Sequence, residues 1–304
     1  TFKPFTYLLA LERGATPASI VADVPVEFST PTGVFAPLNY DRRSYGPMRY
    51  RLALANSLNI SAVRVLDSIG GPAVLRDRLE ECGLKTLKQS PEFYGLGLTI
   101  GNAEARLLEL ANAYACLARM GGFLPVRLTP HSNIASQHVL PSDACYLIAD
   151  MLSDNGARSL AFGANSSLRF DFPVACKTGT SSDFRDNWAL GFTPEFTVGV
   201  WVGNFDGAPM HEVSGVSGAA PVLHEMFEEL HSRFGTGWYA TPANIVERWI
   251  NPLTGKLVAE NTPGAVREKF AAYHLPPAAT ANDFDELGRV KLPAEYRDWL
   301  ASDQ

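Results

Sequence analysis

The chain has 304 residues, 46% of them hydrophobic, which is enough for one large domain or two modest ones around a buried core. Lys and Arg number 26 against 32 for Asp and Glu, a formal charge of -6, which excludes the electrostatic footprint of a nucleic-acid binder. The longest apolar stretches, such as Phe5 to Ala10 and Val198 to Val202, fall far short of the roughly 20 residues that span a bilayer, so no membrane segment is expected in this chain.

No basic n-region followed by an apolar h-region is present, and any targeting signal is expected upstream of Thr1. Cys82, Cys116, Cys145 and Cys176 are widely spaced and form no CxxC pair, which predicts buried free thiols rather than a zinc site or a disulfide scaffold. The six histidines make no close metal-binding pair, so neither a metal nor another cofactor is expected.

Residues 4–13 carry Phe5, Leu8, Leu9 and Leu11 at helical spacing and stop at Gly14, which predicts a helix at the start of the chain. Residues 24–45 are rich in Pro, Thr, Gly and Asn and read as a long ordered loop. A helix over 49–55, a turn at Ser57-Leu58-Asn59 and helices over 60–69 and 72–82 follow, with Gly70-Gly71 and Gly83 as stops. Helical spacing returns over 103–120 and 142–152, the second with a serine start compatible with capping.

Strand patterns then appear over 172–179, 187–192 and 196–202, the last two joined by a Thr193-Pro194-Glu195 turn as in a hairpin. An amphipathic helix over 219–233 is expected to cover one face of that sheet. Helices, then strands, then a helix predict an α+β fold, an antiparallel sheet flanked by helices with a mostly helical subdomain. Beyond Phe234 the composition shifts to Pro, Asn and Thr with a short strand over 245–250. The main boundary is placed near 235, with 236–304 as a linker or partial module.

Two triplets in this order carry chemistry. Lys177-Thr178-Gly179-Thr180 ends a strand, and Ser57-Leu58-Asn59 sits in a turn far upstream. Together they match two of the three elements, Ser-x-x-Lys, Ser-x-Asn and Lys-Thr-Gly, that acyl-serine penicillin-binding enzymes use. The first element is present as Thr1-Phe2-Lys3-Pro4, which is Ser-Thr-Phe-Lys-Pro without its serine. Serine and lysine three apart share one helix face, so Lys3 is placed to deprotonate a hydroxyl once burial and a nearby cation lower its pKa. Alternation along a strand puts Thr178 and Thr180 on one face, where both can offer hydroxyls to a substrate carboxylate, with Lys177 on the other and Gly179 leaving the surface open.

With Asn39-Tyr40-Asp41, the runs 53–63 and 107–115, Phe184-Arg185-Asp186-Asn187-Trp188 and Gly203-Asn204-Phe205-Asp206-Gly207, residues 1–235 resemble a particular family. They resemble the transpeptidase domain of bifunctional class A penicillin-binding proteins of the 1C type. The resemblance implies a peptidoglycan D,D-transpeptidase working through an acyl-serine, with stem peptides and β-lactams as partners. It implies Lys3, Ser57, Asn59 and Lys177 as catalytic residues and Thr178, Gly179 and Thr180 as substrate-binding residues. It also implies an oxyanion hole that uses the Thr180 N–H, an upstream anchor and glycosyltransferase domain, and a place at the periplasmic face of the inner membrane.

On that reading the nucleophile precedes Thr1, and the chain as given is expected to be inactive. Whether Lys3 is the acylation base stays open. Three alternatives also stay open: a non-catalytic penicillin- or peptidoglycan-binding module, a serine D,D-carboxypeptidase or β-lactamase-like hydrolase, and Thr1 itself as an N-terminal nucleophile. Asp183, Arg185 and Asp186 read equally as a salt-bridged loop or a substrate contact. Trp188 and Trp201 read as sheet packing, and Tyr40 and Tyr45 as a possible cleft rim.

Overall fold

The computed structural model describes residues 1–30, 33–129, 134–181, 184–211 and 213–302. The chain opens with helix α1 (Lys3–Glu12), which takes Pro4 in its first turn, where the missing N–H is harmless, and ends before Gly14 at φ +93°. Strands β1 (Ile20–Asp23), β2 (Phe28–Thr30), β3 (Gly33–Phe35) and β4 (Gly46–Arg49) follow. β1 pairs antiparallel with β4 and β2 with β3, so the expected loop over 24–45 contains a small hairpin enclosed by a strand pair. Its Pro and Gly content masked those short strands.

Next come helices α2 (Tyr50–Ala55), α3 (Asn59–Ser68), α4 (Pro72–Glu81), α5 (Pro91–Tyr94) and α6 (Leu107–Ala118). Strands β5 (Gly122–Phe123) and β6 (Gln137–His138) lead to α7 (Ser142–Ser153) and α8 (Ser159–Phe162). The α7 start corrects the capping expectation: the N-cap is Pro141, and the Ser142 hydroxyl donates across to Met120 O at 2.9 Å. One sheet, ordered β7 (Ala175–Thr180), β8 (Asp186–Phe192), β9 (Thr197–Gly203), is antiparallel throughout, and α9 (Ala219–Phe234) follows it.

Helix α1 is the axis of the molecule. Phe5, Tyr7, Leu8, Leu9 and Leu11 are all buried, so the helix is enclosed on every side rather than on one stripe. It packs with α2, α3, α4 and α7 and meets α6 through Phe5 and Tyr114, while α6 and α7 reach the sheet, whose Leu190 and Phe192 join the same core. The opposite sheet face, through Ala189, Val198, Val200 and Val202, packs on Leu223 and Phe227 of α9. Lys3 is 4% exposed in this apolar setting, where an ammonium is costly unless it has a task or a partner.

The segment after α9 forms hairpin β10 (Ile245–Ile250) and β11 (Val266–Ala271) and ends with α10 (Arg297–Ser302). Ile250 and Phe270 pack on Ala18, and Tyr296 packs on Ala22 and Val24. These contacts seat the segment on the β1 region. The four cysteines are buried free thiols.

Candidate active site

The site forms where the N-terminus of α1 meets the turn between α2 and α3 and the edge strand β7. Ser57 occupies that turn with φ +58°, a left-handed conformation that costs a non-glycine residue roughly 1 kcal/mol and turns its side chain out of the α2 path. Lys177 Nζ lies 2.6 Å from Ser57 Oγ and 2.8 Å from Thr178 O. Lys3 Nζ lies 3.2 Å from Ser57 Oγ, and it donates to Asn59 Oδ1 at 2.6 Å and to Ser57 O at short range. Two amines, Lys3 from the helix and Lys177 from the strand, therefore converge on the Ser57 hydroxyl, with Asn59 holding Lys3.

Burial sets the charge of this cluster. Lys3 is held well below the ordinary lysine range, first by desolvation and then by the charge of Lys177, with Asp23 pulling the other way. Lys177 is brought down to about 7, again by burial first and then by Arg158, which bonds the carbonyls of Leu168 and Leu152 beside it. Lys3 Nζ has three acceptors in reach, Ser57 O, Asn59 Oδ1 and the Ser57 hydroxyl; on losing a proton it can keep the first two with its remaining N–H donors and turn a lone pair toward a hydroxyl.

A supporting layer escaped the sequence reading. Asn39, only 4% exposed, accepts at Oδ1 from the backbone N–H groups of Asn59, 2.7 Å away, and Ile60. It supplies from a distant loop the cap that Leu58 cannot give α3. Its Nδ2 donates to Asp23 Oδ1 at 2.6 Å, and Asp23 Oδ2 accepts from Ser61 Oγ at 2.7 Å. Asn56 fixes the other side of the turn: Nδ2 donates to Ala157 O and Leu52 O, and Oδ1 accepts from Ala161 N. Asn39 lies in a run singled out for its family texture, but no local pattern announces its partners.

On β7, Lys177 and Gly179 share the face turned toward Thr1. A Cβ at Gly179 would stand 2.9 Å from Thr1 Cγ2 and 3.3 Å from Thr1 N. Thr178 and Thr180 lie on the alternate face, and the Thr180 hydroxyl accepts from Gly215 N at 2.9 Å, which leaves its own O–H to donate elsewhere. Ser181 N bonds Asp186 O across the sheet at 2.9 Å, so the antiparallel alternation turns the N–H and C=O of Thr180 and Thr178 outward from the sheet. The Lys177 bond to Thr178 O agrees with that direction. The edge of β7 thus offers main-chain groups to an extended ligand.

The remaining candidates lie around this centre. Trp188 pairs across from Gly179 and packs against Trp201 at 6.4 Å, and the Trp201 indole donates to Asp186 Oδ1 at 2.8 Å. Arg185 is exposed on the loop just before β8. Asp183 lies outside the described residues. The Tyr45 hydroxyl donates to the Asp41 carboxylate, and Tyr40 is exposed.

Comparison with known proteins bears on the same geometry. The fold is that of penicillin-binding protein 1A from Haemophilus influenzae, with a TM-score of 0.77 over 91% of this chain and 48% of that one at 24% identity. PonA1 from Mycobacterium tuberculosis, solved in complex with penicillin V, aligns at TM-score 0.64 over 79% of this chain and 70% of that one at 22% identity. The model for the penicillin binding protein transpeptidase domain matches residues 1–228, and the chain belongs to that family.

Among curated relatives, penicillin-binding protein 1C of Escherichia coli K12 is 32% identical over 96% of this chain and 37% of its own length. Penicillin-binding protein 1A of Rickettsia bellii is 26% identical over 88% of this chain and also 37% of its own length. The chain therefore spans little more than a third of each of these relatives.

Proposed function

We propose that the protein is a serine D,D-transpeptidase that cross-links peptidoglycan stem peptides and is acylated by β-lactams. The convergence on Ser57 of Lys177 and of Lys3, itself held by Asn59, is the observation that carries this reading. The nucleophile is the serine that the family motif places immediately before Thr1, next to Gly179. Neutral Lys3 takes its proton as the hydroxyl attacks the carbonyl of the D-Ala-D-Ala bond, and the Thr180 N–H on the open edge of β7 holds the developing oxyanion.

Ser57 then passes its proton to the departing D-Ala amine and takes in return the one held on Lys3, with Lys177 holding its oxygen, and an acyl-serine remains with Lys3 neutral again. The amine of a neighbouring strand attacks that ester and gives up a proton to Ser57 and Lys3, which return it to the serine oxygen as it leaves as a hydroxyl, and the amide cross-link is made. Asn59 holds Lys3 and lines the acyl-chain side, while Thr178 and Thr180 bind the carboxylate from the β7 edge.

Residues 1–235 are read as the catalytic domain and 236–304 as a C-terminal module. The chemistry is placed at the periplasmic face of the inner membrane, behind an upstream anchor and glycosyltransferase domain. The test is intact mass after incubation of the full-length protein with a labelled penicillin. One stable adduct that disappears with Lys3→Ala supports acyl-serine transfer, rapid release of the label indicates hydrolysis, and no adduct removes the catalytic reading.

A further inference from the structure

The C-terminal hairpin reaches the back of the helix that leads into Ser57. Glu268 on β11 has a side chain fully shielded from solvent. It accepts from Arg49 Nη1 at 3.1 Å, from Arg51 Nη2 at 2.5 Å and from Arg51 Nε at 2.9 Å. Arg51 also donates to Asp150 Oδ2 at 2.6 Å and to Asp154 Oδ2 at 3.3 Å, and Lys269 Nζ bonds Asp150 Oδ1 at 2.6 Å. The hairpin, α7 and the start of α2 are locked together by these charges.

Helix α2 is only six residues long, far below the length at which a helix stands by itself. Its N-terminal end is fixed by Arg49 and Arg51, and its C-terminal end by the Asn56 bonds to Ala157 and Ala161. Ser57 follows directly, in a conformation that a non-glycine residue keeps only where its surroundings over-determine it. A buried ion cluster gives little stability beyond what apolar packing of the same volume supplies, so its value here lies in fixing a geometry.

We propose that Glu268 is a positioning residue for the transpeptidase chemistry: by holding Arg49 and Arg51 it fixes α2, and thereby keeps Ser57 Oγ between Lys3 and Lys177. This rests on the acyl-serine reading above. It makes the C-terminal segment part of the catalytic apparatus, although Glu268 stands 217 residues from Arg51 in sequence.

The experiment is a double-mutant cycle in the full-length protein, with Glu268→Gln and Ser57→Ala singly and together. The rate constant for acylation by a labelled penicillin and the melting temperature are measured for each. Glu268→Gln is expected to slow acylation about ten-fold or more when Ser57 is present and less than about two-fold in the Ser57→Ala background, with equal falls in melting temperature. An unchanged rate, or the same factor in both backgrounds, overturns the proposal and leaves Glu268 a structural residue. A parent protein that takes up no label sinks the acyl-serine reading instead. If Glu268→Gln does not melt cooperatively, Glu268→Asp goes through the same cycle and is judged by the same two ratios.

Discussion

Lys177 Nζ stands 2.6 Å from Ser57 Oγ, bringing the edge strand of the sheet onto a turn of the helical half. Lys3 Nζ stands 3.2 Å from the same oxygen, so both amines share the Ser57 hydroxyl. Ser57→Ala removes that bridge without touching the core, because Ser57 is only half-buried. Acylation by penicillin is expected to fall by about 10²- to 10⁴-fold, the span typical of a lost proton-transfer group, while the melting temperature holds. A stopped-flow or mass-resolved time course checks it, and a loss smaller than ten-fold would take the relay away from Ser57.

The depressed lysines make low pH unfavourable for both the reaction and the fold. Burial and Arg158 hold Lys177 to about 7, and burial with Lys177 holds Lys3 down as well, so acylation should rise with pH through the neutral range as the pair loses a proton. For stability the unfolded lysine titrates near 10.4, so between about 7 and 10.4 the unfolded chain binds more protons than the folded one. The Lys177 contribution to stability is therefore most unfavourable below about 7 and improves as pH rises to about 10. Lys177→Met should be more stable than the parent at pH 6, with the gap closing toward pH 10. Urea unfolding at both pH values measures it, and a gap that widens with pH would contradict the assignment.

The sequence carried what is local. The residues of α1, the two triplets and the β8–β9 hairpin follow from spacing and turn chemistry within a few residues. The order of the triplets shows that they belong to one site. The supports are not legible in the same way. Asp23 ends β1 and Asn39 lies in the stretch rich in Pro, Thr and Gly, and both reach α3 through tertiary contacts that no local spacing encodes. No sequence signal singles out Arg158, although after burial it is the charge that lowers Lys177. The proline-rich composition after Phe234 reads as a linker, and nothing local marks Glu268 as buried.

Asn39→Ala tests that hidden layer. The substitution takes the cap from the N–H groups of Asn59 and Ile60 and strips Asp23 of one donor. Loss of a helix cap costs about 1 kcal/mol, and unpairing a buried polar group adds about 1–3 kcal/mol. Unfolding free energy should drop by roughly 2–4 kcal/mol by these measures. Acylation should slow too, because Asn59 holds Lys3. Denaturant titration with the acylation assay reads both, and a variant as stable as the parent would show that solvent replaces Asn39 without loss.

Gly179→Ala isolates the close approach of β7 to the start of α1. Gly179 has no positive φ, so alanine meets no backbone strain there, and its Cβ would have only ordinary contact with Trp188 at 3.5 Å. The cost is steric and local: the methyl would sit 2.9 Å from Thr1 Cγ2, which can turn away, and 3.3 Å from Thr1 N, which must give by about a few tenths of an ångström. That shift moves the residue before Thr1 away from the edge N–H groups of β7. A displacement of about 1 Å in a reacting group costs about 10²-fold in rate, so a shift of a few tenths of an ångström is expected to slow acylation of the full-length protein by roughly three- to ten-fold. The melting temperature should change little, since the contact lies at the rim of the core. Acylation within two-fold of the parent would mean that the nucleophile is not held against this strand.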